Sequence, residues 1–449
     1  MSLPPKILIV GGGVFGLSTA DSLSQRHPTS EITLLESSPT IPNPQGSSVD
    51  TSRIVRADYS NPVYTKLAAE AIAKWRTTEW GQDGRYTQSG LVLVYPSGDT
   101  NARHYAIKSY ENVRQLEADE SLVQMLPSAA DVVRAAPAYG PNLDVAGGYV
   151  NWGSGWSDAE ATVRFKKQQL DQAGKVKFLT GEARALLYDT SNSNNNSNKV
   201  TGVVLADGTT LTADLVILAT GAWTTRLVDL RGRAVSTGQA LAYMRISDDE
   251  QRQLENMPTI LNFATGMFII PPRNNLLKIA RHAYGYVNPK TVPVPVPGGR
   301  QASSTSTMEV SLPEPGVPIP LEDEEAFRGA LRELLPAFAE RPFVSSRICW
   351  YTDTPTGDFI IDYHPTQQGL FLATGGSGHG FKFFPVLGDK IVDALEGKLE
   401  GELRALWTWP AAAASPGKFD GTEDGSRSGP KGLKLMDELA RSKRGDSRL

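Results

Sequence analysis

Apolar positions along the chain fall into short runs separated by polar loops, and the first run sets the pattern. Residues 7–10 (ILIV) are apolar throughout, as a strand buried on both faces requires. Residues 15–23 follow as a helix, and residues 32–35 as a second strand closed by Glu36. Residues 62–75 repeat apolar positions at helical spacing, residues 89–95 read as a strand, and residues 102–123 as a largely polar helix. Another helix opens after Trp156, with Ser157 or Asp158 as its cap. Strands are expected at 176–180, 200–205 and 209–211, the last two joined by the turn Ala206-Asp207-Gly208. A buried strand then ends at Gly221, and residues 191–198 (SNSNNNSN) read as a flexible hairpin tip. Residues 236–344 alternate strand-like pieces with Pro-rich loops, the longest at 291–306, and end in an amphipathic helix at 321–335. Strands return at 346–351, 359–361 and 369–373, before a glycine turn at 375–380 and a helix over 386–395.

The first strand, helix and second strand enclose the spacing G-x-G-x-x-G at Gly11, Gly13 and Gly16. Gly11 makes a tight turn, Gly13 lets the backbone approach a pyrophosphate, and Gly16 lets the helix pack closely on the strand. Val14 and Phe15 open the helix, whose N-terminus offers free N–H groups and a positive dipole end to phosphate. Glu36 can accept hydrogen bonds from ribose hydroxyls. Glycine turns alone are common, but strand, glycines, helix, second strand and terminal acid together point to dinucleotide binding. The motif does not by itself separate FAD from NAD.

A chain of 449 residues predicts two or three domains and a sizeable core. Its net charge of −4 offers no polyanion-binding face, so no nucleic-acid partner is expected. No apolar run is long enough to span a membrane, and no signal peptide is expected ahead of the first strand. A single cysteine, Cys349, excludes an internal disulfide framework and a cysteine-rich zinc site, and no metal is expected. The last residues, Ser447, Arg448 and Leu449, fit a C-terminal peroxisomal signal of the S-K-L type, read by the import receptor; a chance ending is the alternative.

Four ordered motifs carry a family resemblance over most of residues 5–400: the N-terminal fingerprint, T-S-R-I-V-R at 51–56, C-W-Y-T-D-T-P at 349–355 and G-S-G-H-G-F-K-F at 376–383. The chain resembles the FAD-dependent amine oxidases, which include monomeric sarcosine oxidase, the pipecolate and saccharopine oxidases, and the fructosyl amino acid oxidases (amadoriases). The strand ending in Gly221 also resembles the one that closes beneath the cofactor in two-dinucleotide-fold flavoproteins, which favours FAD. The resemblance implies an α/β protein, α+β overall. It would have a two-dinucleotide-binding (Rossmann-like) FAD domain at 1–88, 150–235 and 345–405. A discontinuous β-sheet substrate domain would occupy 89–149 and 236–344, and 406–449 would be an extension carrying the targeting tail.

The resemblance also assigns residues. Cys349 would attach covalently to the flavin 8α carbon through sulfur; on composition alone it is a small buried apolar residue. Arg56 and Lys382 would hold the substrate carboxylate, a guanidinium fork beside a point charge; otherwise both are solvated surface charges. Arg53, with Ser52 beside it, would lie near the flavin ring and favour its anionic reduced form; alternatively it pairs with Asp50 or Asp58. Lys278 would assist oxygen reduction and His282 would line the substrate cavity; on a strand they share one face, which could also be its solvent face. Tyr351 matches a cavity tyrosine, and Gly378, His379 and Gly380 match the flavin-side glycine turn. Where the sarcosine oxidases carry a further tyrosine, this chain has Phe268 and Ile269, which leaves the pocket shape open.

The expected activity is FAD-dependent oxidation of a carboxylate-bearing secondary amine to an imine, with O2 reduced to hydrogen peroxide. Gly155-Trp156 and the extended tail resemble the fungal amadoriase and saccharopine oxidase branches. A flavin dehydrogenase with another electron acceptor, and a flavin-binding protein without turnover, are the alternatives. A monomer is expected, after the closest pattern.

Overall fold

The computed structural model describes residues 3–117, 119–140, 143–189, 198–295, 306–411 and 422–444. The segment expected as a hairpin tip falls almost wholly outside these residues, as do residues 296–305 of the long loop and all of the C-terminal tripeptide. Among the described residues, no helix is long and apolar enough to cross a membrane.

The opening strand, Lys6–Val10, lies inside a six-stranded sheet. It pairs in parallel with Glu31–Glu36 on one side and Leu215–Leu218 on the other. Val176–Thr180 and Leu370–Thr374 extend the parallel sheet, and Ile360–Tyr363 adds an antiparallel edge. Alternation explains the uniformly apolar run: Ile7 and Ile9 join one buried cluster, Leu8 and Val10 another on the opposite face. The helix Val14–Arg26 covers the first face beside the helix Phe384–Glu396. Gly11 has φ +111°, and a Cβ on Gly16 would sit 1.8 Å from the Gly11 carbonyl oxygen, so neither position accepts a side chain.

A second, ten-stranded sheet is built mostly from residues 91–151 and 235–353. Its centre is the strand Val235–Arg245, which pairs antiparallel with Leu276–Arg281 and with Phe343–Asp353. The latter pairing corrects one boundary. Residues 345–353, grouped by sequence with the cofactor domain, belong to this sheet, because they pair in continuous register with residues 235–243, before a shift at Tyr243/Met244. The helix Leu321–Leu334 covers one face with Phe327, Leu331 and Leu334.

In the C-terminal segment the short helix that the sequence suggests near residues 433–439 is present, and it packs into the core. Leu433–Lys434 joins the edge of this sheet beside Tyr286–Val287, and the helix Leu435–Arg444 buries Leu435 and Leu439 in the same core. Outside that helix the composition of residues 410–449 carries little core-forming content; the leucines present suffice because they meet an already formed apolar face. Elsewhere the polar helix expected at 102–123 is Thr100–Leu116, and Val123–Leu126 is a strand of the large sheet. Asp158 is the cap of Ala159–Ala173, accepting from the Ala161 N–H at 2.9 Å.

Candidate active site

A groove runs along the C-terminal ends of the parallel strands. At one end it is lined by Gly11, Gly13, Glu36, Gly181 and Gly221. Glu36 is buried and orders this end, accepting from the Gly12 N–H at 2.7 Å, the Ser38 N–H at 2.9 Å and Asn43 Nδ2 at 2.8 Å. The first helix has no side-chain cap at Gly13 and no acid in its first turn; Ser48 Oγ takes the Val14 N–H at 3.0 Å, and the positive end of the helix faces the groove. The next cavity shares Gly13 and Gly221 with this end, and reaches Val14, Phe15, Arg53, Tyr351, Gly378 and Gly380. A long groove with an acid at one end, a helix N-terminus in the middle and a cationic chamber at the other fits FAD.

Beyond it lies an inner chamber lined by Ser52, Arg53, Arg56, Phe268, Lys278, His282, Tyr351 and Lys382. Two cationic clusters form its walls. In the first, Asp50 is the hub, its side chain 0% exposed. It accepts from Lys278 Nζ at 2.7 Å, Arg53 Nη1 at 2.7 Å and the Tyr243 hydroxyl at 2.5 Å. Burial alone would raise its pKa, but Lys278, Arg53 and Arg347 hold it well below the usual carboxylate range. Burial pulls Lys278 down to about 8, and Asp50 limits the fall. Lys278 Nζ also donates to the Ser52 carbonyl at 2.9 Å. Arg53 turns its Nη2 to Cys349 Sγ at 3.3 Å, and the cysteine is 1% exposed. Cys349 and Tyr351 face the chamber region from alternate positions of one strand, opposite Gln239 and Thr237.

The second cluster has no such carboxylate hub among the described residues. Arg56 is 6% exposed, lies 4.9 Å from the Tyr59 ring centroid, and leaves Nη1 without a hydrogen-bond partner among the described residues. Lys382, 5% exposed, donates to the Tyr59 hydroxyl at 2.8 Å and the His379 carbonyl at 2.9 Å. Burial, then repulsion from Arg56, pushes its pKa well below the ordinary lysine value. His379 Nε2 lies 2.8 Å from the Gly357 carbonyl, which can only accept, so Nε2 carries the proton. Nδ1 then accepts from the Tyr59 hydroxyl at 3.0 Å, and burial together with Lys382 keeps the imidazole neutral. Asp58 lies behind, fully buried, but is committed to Tyr149, Asn151 and Ser154.

His282 stands between the clusters. Its Nδ1 is 3.3 Å from Arg427 Nη1, a group that only donates, so Nδ1 accepts and Nε2 holds the proton. Burial and Arg427 hold its pKa well below the ordinary value. Nε2–H makes no hydrogen bond to a described residue and remains a donor for a ligand. Arg427 itself is pinned by Asp353 at 2.8 Å and the Ser377 carbonyl at 2.9 Å, and lies 5.3 Å from the Tyr351 ring centroid.

Thus the residues singled out in sequence converge: Arg53, Arg56, Lys278, His282, Tyr351, His379 and Lys382 line one chamber. The alternative pairing of Arg53 with Asp50 is real and coexists with its contact to Cys349. Phe268 lines the same chamber, with its ring centroid 5.7 Å from Lys278 Nζ. Sequence reasoning reaches Asp50 only as a partner for Arg53, and it misses Tyr59, Tyr243 and Arg427. Tyr59 lies three residues past Arg56, a signal that can be read; Arg427 offers none, since it reaches the site from the C-terminal segment.

Fold, groove and chamber are those of a flavin-dependent oxidoreductase. The profile of the family DAO, FAD dependent oxidoreductase, matches residues 6–394, and the chain belongs to that family. It is 34% identical to the amino acid oxidase imqH of Aspergillus flavus, over 91% of this chain and 98% of that protein. It is 29% identical to the L-saccharopine oxidase of Schizosaccharomyces pombe, over 90% of this chain and 92% of that one. Among solved structures, a modified fructosyl peptide oxidase from Aspergillus nidulans superposes with a TM-score of 0.83 at 28% identity, covering 96% of this chain and 98% of the other. The fructosamine oxidase Amadoriase II of Aspergillus fumigatus gives 0.80 at 27% identity, covering 97% of both.

Proposed function

We propose that this protein is an FAD-dependent oxidase of secondary amines that carry a carboxylate. The observation behind this reading is the buried, unpartnered Nη1 of Arg56 beside Lys382, in the chamber that also holds Lys278. A buried guanidinium with no ion-paired carboxylate among the described residues is costly, since Asp58 is committed to Tyr149, Asn151 and Ser154, and a substrate carboxylate supplies the missing partner. Burial and Arg56 lower the Lys382 pKa, and a substrate carboxylate beside it opposes that shift, so binding favours the charged lysine. Tyr59 fixes Lys382 and His379 in place, and His282 Nε2–H is a further donor to the bound amino acid. FAD, held along the groove lined by Gly11, Gly13, Glu36 and Gly221, would supply the two-electron redox chemistry that links amine oxidation to imine with reduction of O2 to hydrogen peroxide. The protein orients the amine by its carboxylate and sets charge at the reacting end, where Lys278 is the cation for oxygen reduction.

The six-stranded sheet and its glycine turns form the cofactor-binding part, and the large sheet the substrate-binding part. Cys349 is the attachment point for covalent FAD. Cys349→Ser releases flavin to the supernatant on acid precipitation, whereas the unaltered protein carries it into the pellet; flavin lost equally from both contradicts attachment. Residues 447–449 are read as the address for the peroxisomal import receptor, and the protein as a monomer. The reading is tested by peroxide release against sarcosine, L-pipecolate, L-proline, saccharopine, fructosyl-valine and ε-fructosyl-lysine. Peroxide from at least one is expected. Silence across the set from flavin-loaded protein counts against it.

A further inference from the structure

The inner chamber adjoins a larger outer one of about 510 Å³, and the two share Arg56, His282 and His379. The outer chamber is therefore where the rest of a substrate extends when its carboxylate sits on Arg56. Its walls have a definite chemistry. Tyr59, Tyr64 and Tyr105 form an aromatic side, and Asp358 and Asp424 an acidic one. Arg56 is the one lysine or arginine among its described lining residues, and its buried Nη1 is unpartnered among them. Neither aspartate has an ion-pair partner among the described residues. Asp424 Oδ1 takes the Ser426 N–H at 2.9 Å and the Ser426 hydroxyl at 2.5 Å, which leaves Oδ2 uncommitted. Burial, and in smaller part the charge of Asp424, raises the Asp358 pKa. Two neighbouring carboxylates with no cation between them are complementary to one.

The acidic wall is also fixed in place. Thr422 Oγ1 donates to the Thr354 carbonyl at 2.9 Å, the Glu423 N–H to the Pro355 carbonyl at 3.0 Å, and Arg427 is ion-paired with Asp353. We propose that the outer chamber is a subsite for a cationic group, an ammonium or guanidinium, carried by the amine substrate at the end away from its carboxylate. The C-terminal segment 422–427 is then a specificity element. This rests on the amine-oxidase reading above, and extends it to the substrate's far end.

The test uses flavin-loaded full-length protein with Nα-methyl-L-lysine and Nα-methyl-L-norleucine, which differ at the distal end, where the first carries an aminomethyl group and the second a methyl. Both turnover and anaerobic binding, read from the flavin absorbance change, are measured for the unaltered protein and for Asp358→Asn, Asp424→Asn and the double variant. The lysine derivative is expected to be favoured roughly tenfold in kcat/KM and in Kd, with most of the preference lost in the double variant. The single exposed-site variant Asp424→Asn, which leaves the core untouched, gives a partial loss. Equal values for the two ligands, or a preference unchanged in the double variant, overturns the subsite. If neither compound is oxidised but the charge-dependent binding preference appears and falls with Asp358 and Asp424, the subsite stands and the oxidase reading falls. Oxidation of both without preference does the reverse.

Discussion

The two cationic clusters of the chamber are built from the same residue types and end in opposite electrostatic states. Arg53 and Lys278 share Asp50, and each has a direct ion pair with it at 2.7 Å. Arg56 and Lys382 share Tyr59, a neutral group, and feel Asp58 only from behind, without an ion pair to it among the described residues. The first pair is internally compensated and holds a fixed field. The second is left open and is ready to take up an anion. The contrast separates scaffold from binding site more sharply than burial does, because all four side chains are buried or nearly so.

Breaking the compensated cluster has the largest expected effect. Asp50→Asn leaves two buried cations facing each other and should lower stability by about 3–5 kcal/mol, measured by denaturant unfolding. A loss under about 1 kcal/mol would mean that water reaches the cluster. Next is Lys278→Met, which removes the fixed charge without disturbing the clamp. It should slow reoxidation by O2 roughly a hundredfold while leaving anaerobic reduction by substrate little changed. Equal slowing of both steps would remove Lys278 from oxygen chemistry. A smaller effect sharpens the same point. Lys278 is charged below its pKa of about 8 and neutral above it, so reoxidation should fall as pH rises through that value. The Lys278→Met protein should show no such step.

The local part of this arrangement was legible in sequence. The glycine turn, the strand ending in Glu36 and the shared face of Lys278 and His282 each depend on spacing within a few residues. The roles expected of Cys349, Arg56 and Lys382 rest on ordered motifs; Arg56 and Lys382 line the chamber, and Cys349 meets it through Arg53. What could not be read depends on meetings between distant segments. Asp50 finds Lys278 228 residues away, and Tyr59 finds Lys382 323 residues away. Arg427 reaches Asp353 and His282 from a segment whose composition resembles a tail. The boundary at 345 failed for a related reason: a strand's hydrophobic pattern fixes which face it buries, not which sheet it joins.

The functional reading stands on the open state of the second cluster. It is tested most directly by comparing an oxidised substrate from the panel with its carboxamide, in the unaltered protein and in Arg56→Gln. The unaltered protein should prefer the carboxylate by roughly a hundredfold or more in kcat/KM, and Arg56→Gln should remove most of that preference. Comparable rates for carboxylate and amide in the unaltered protein, or a preference that survives in Arg56→Gln, would contradict it.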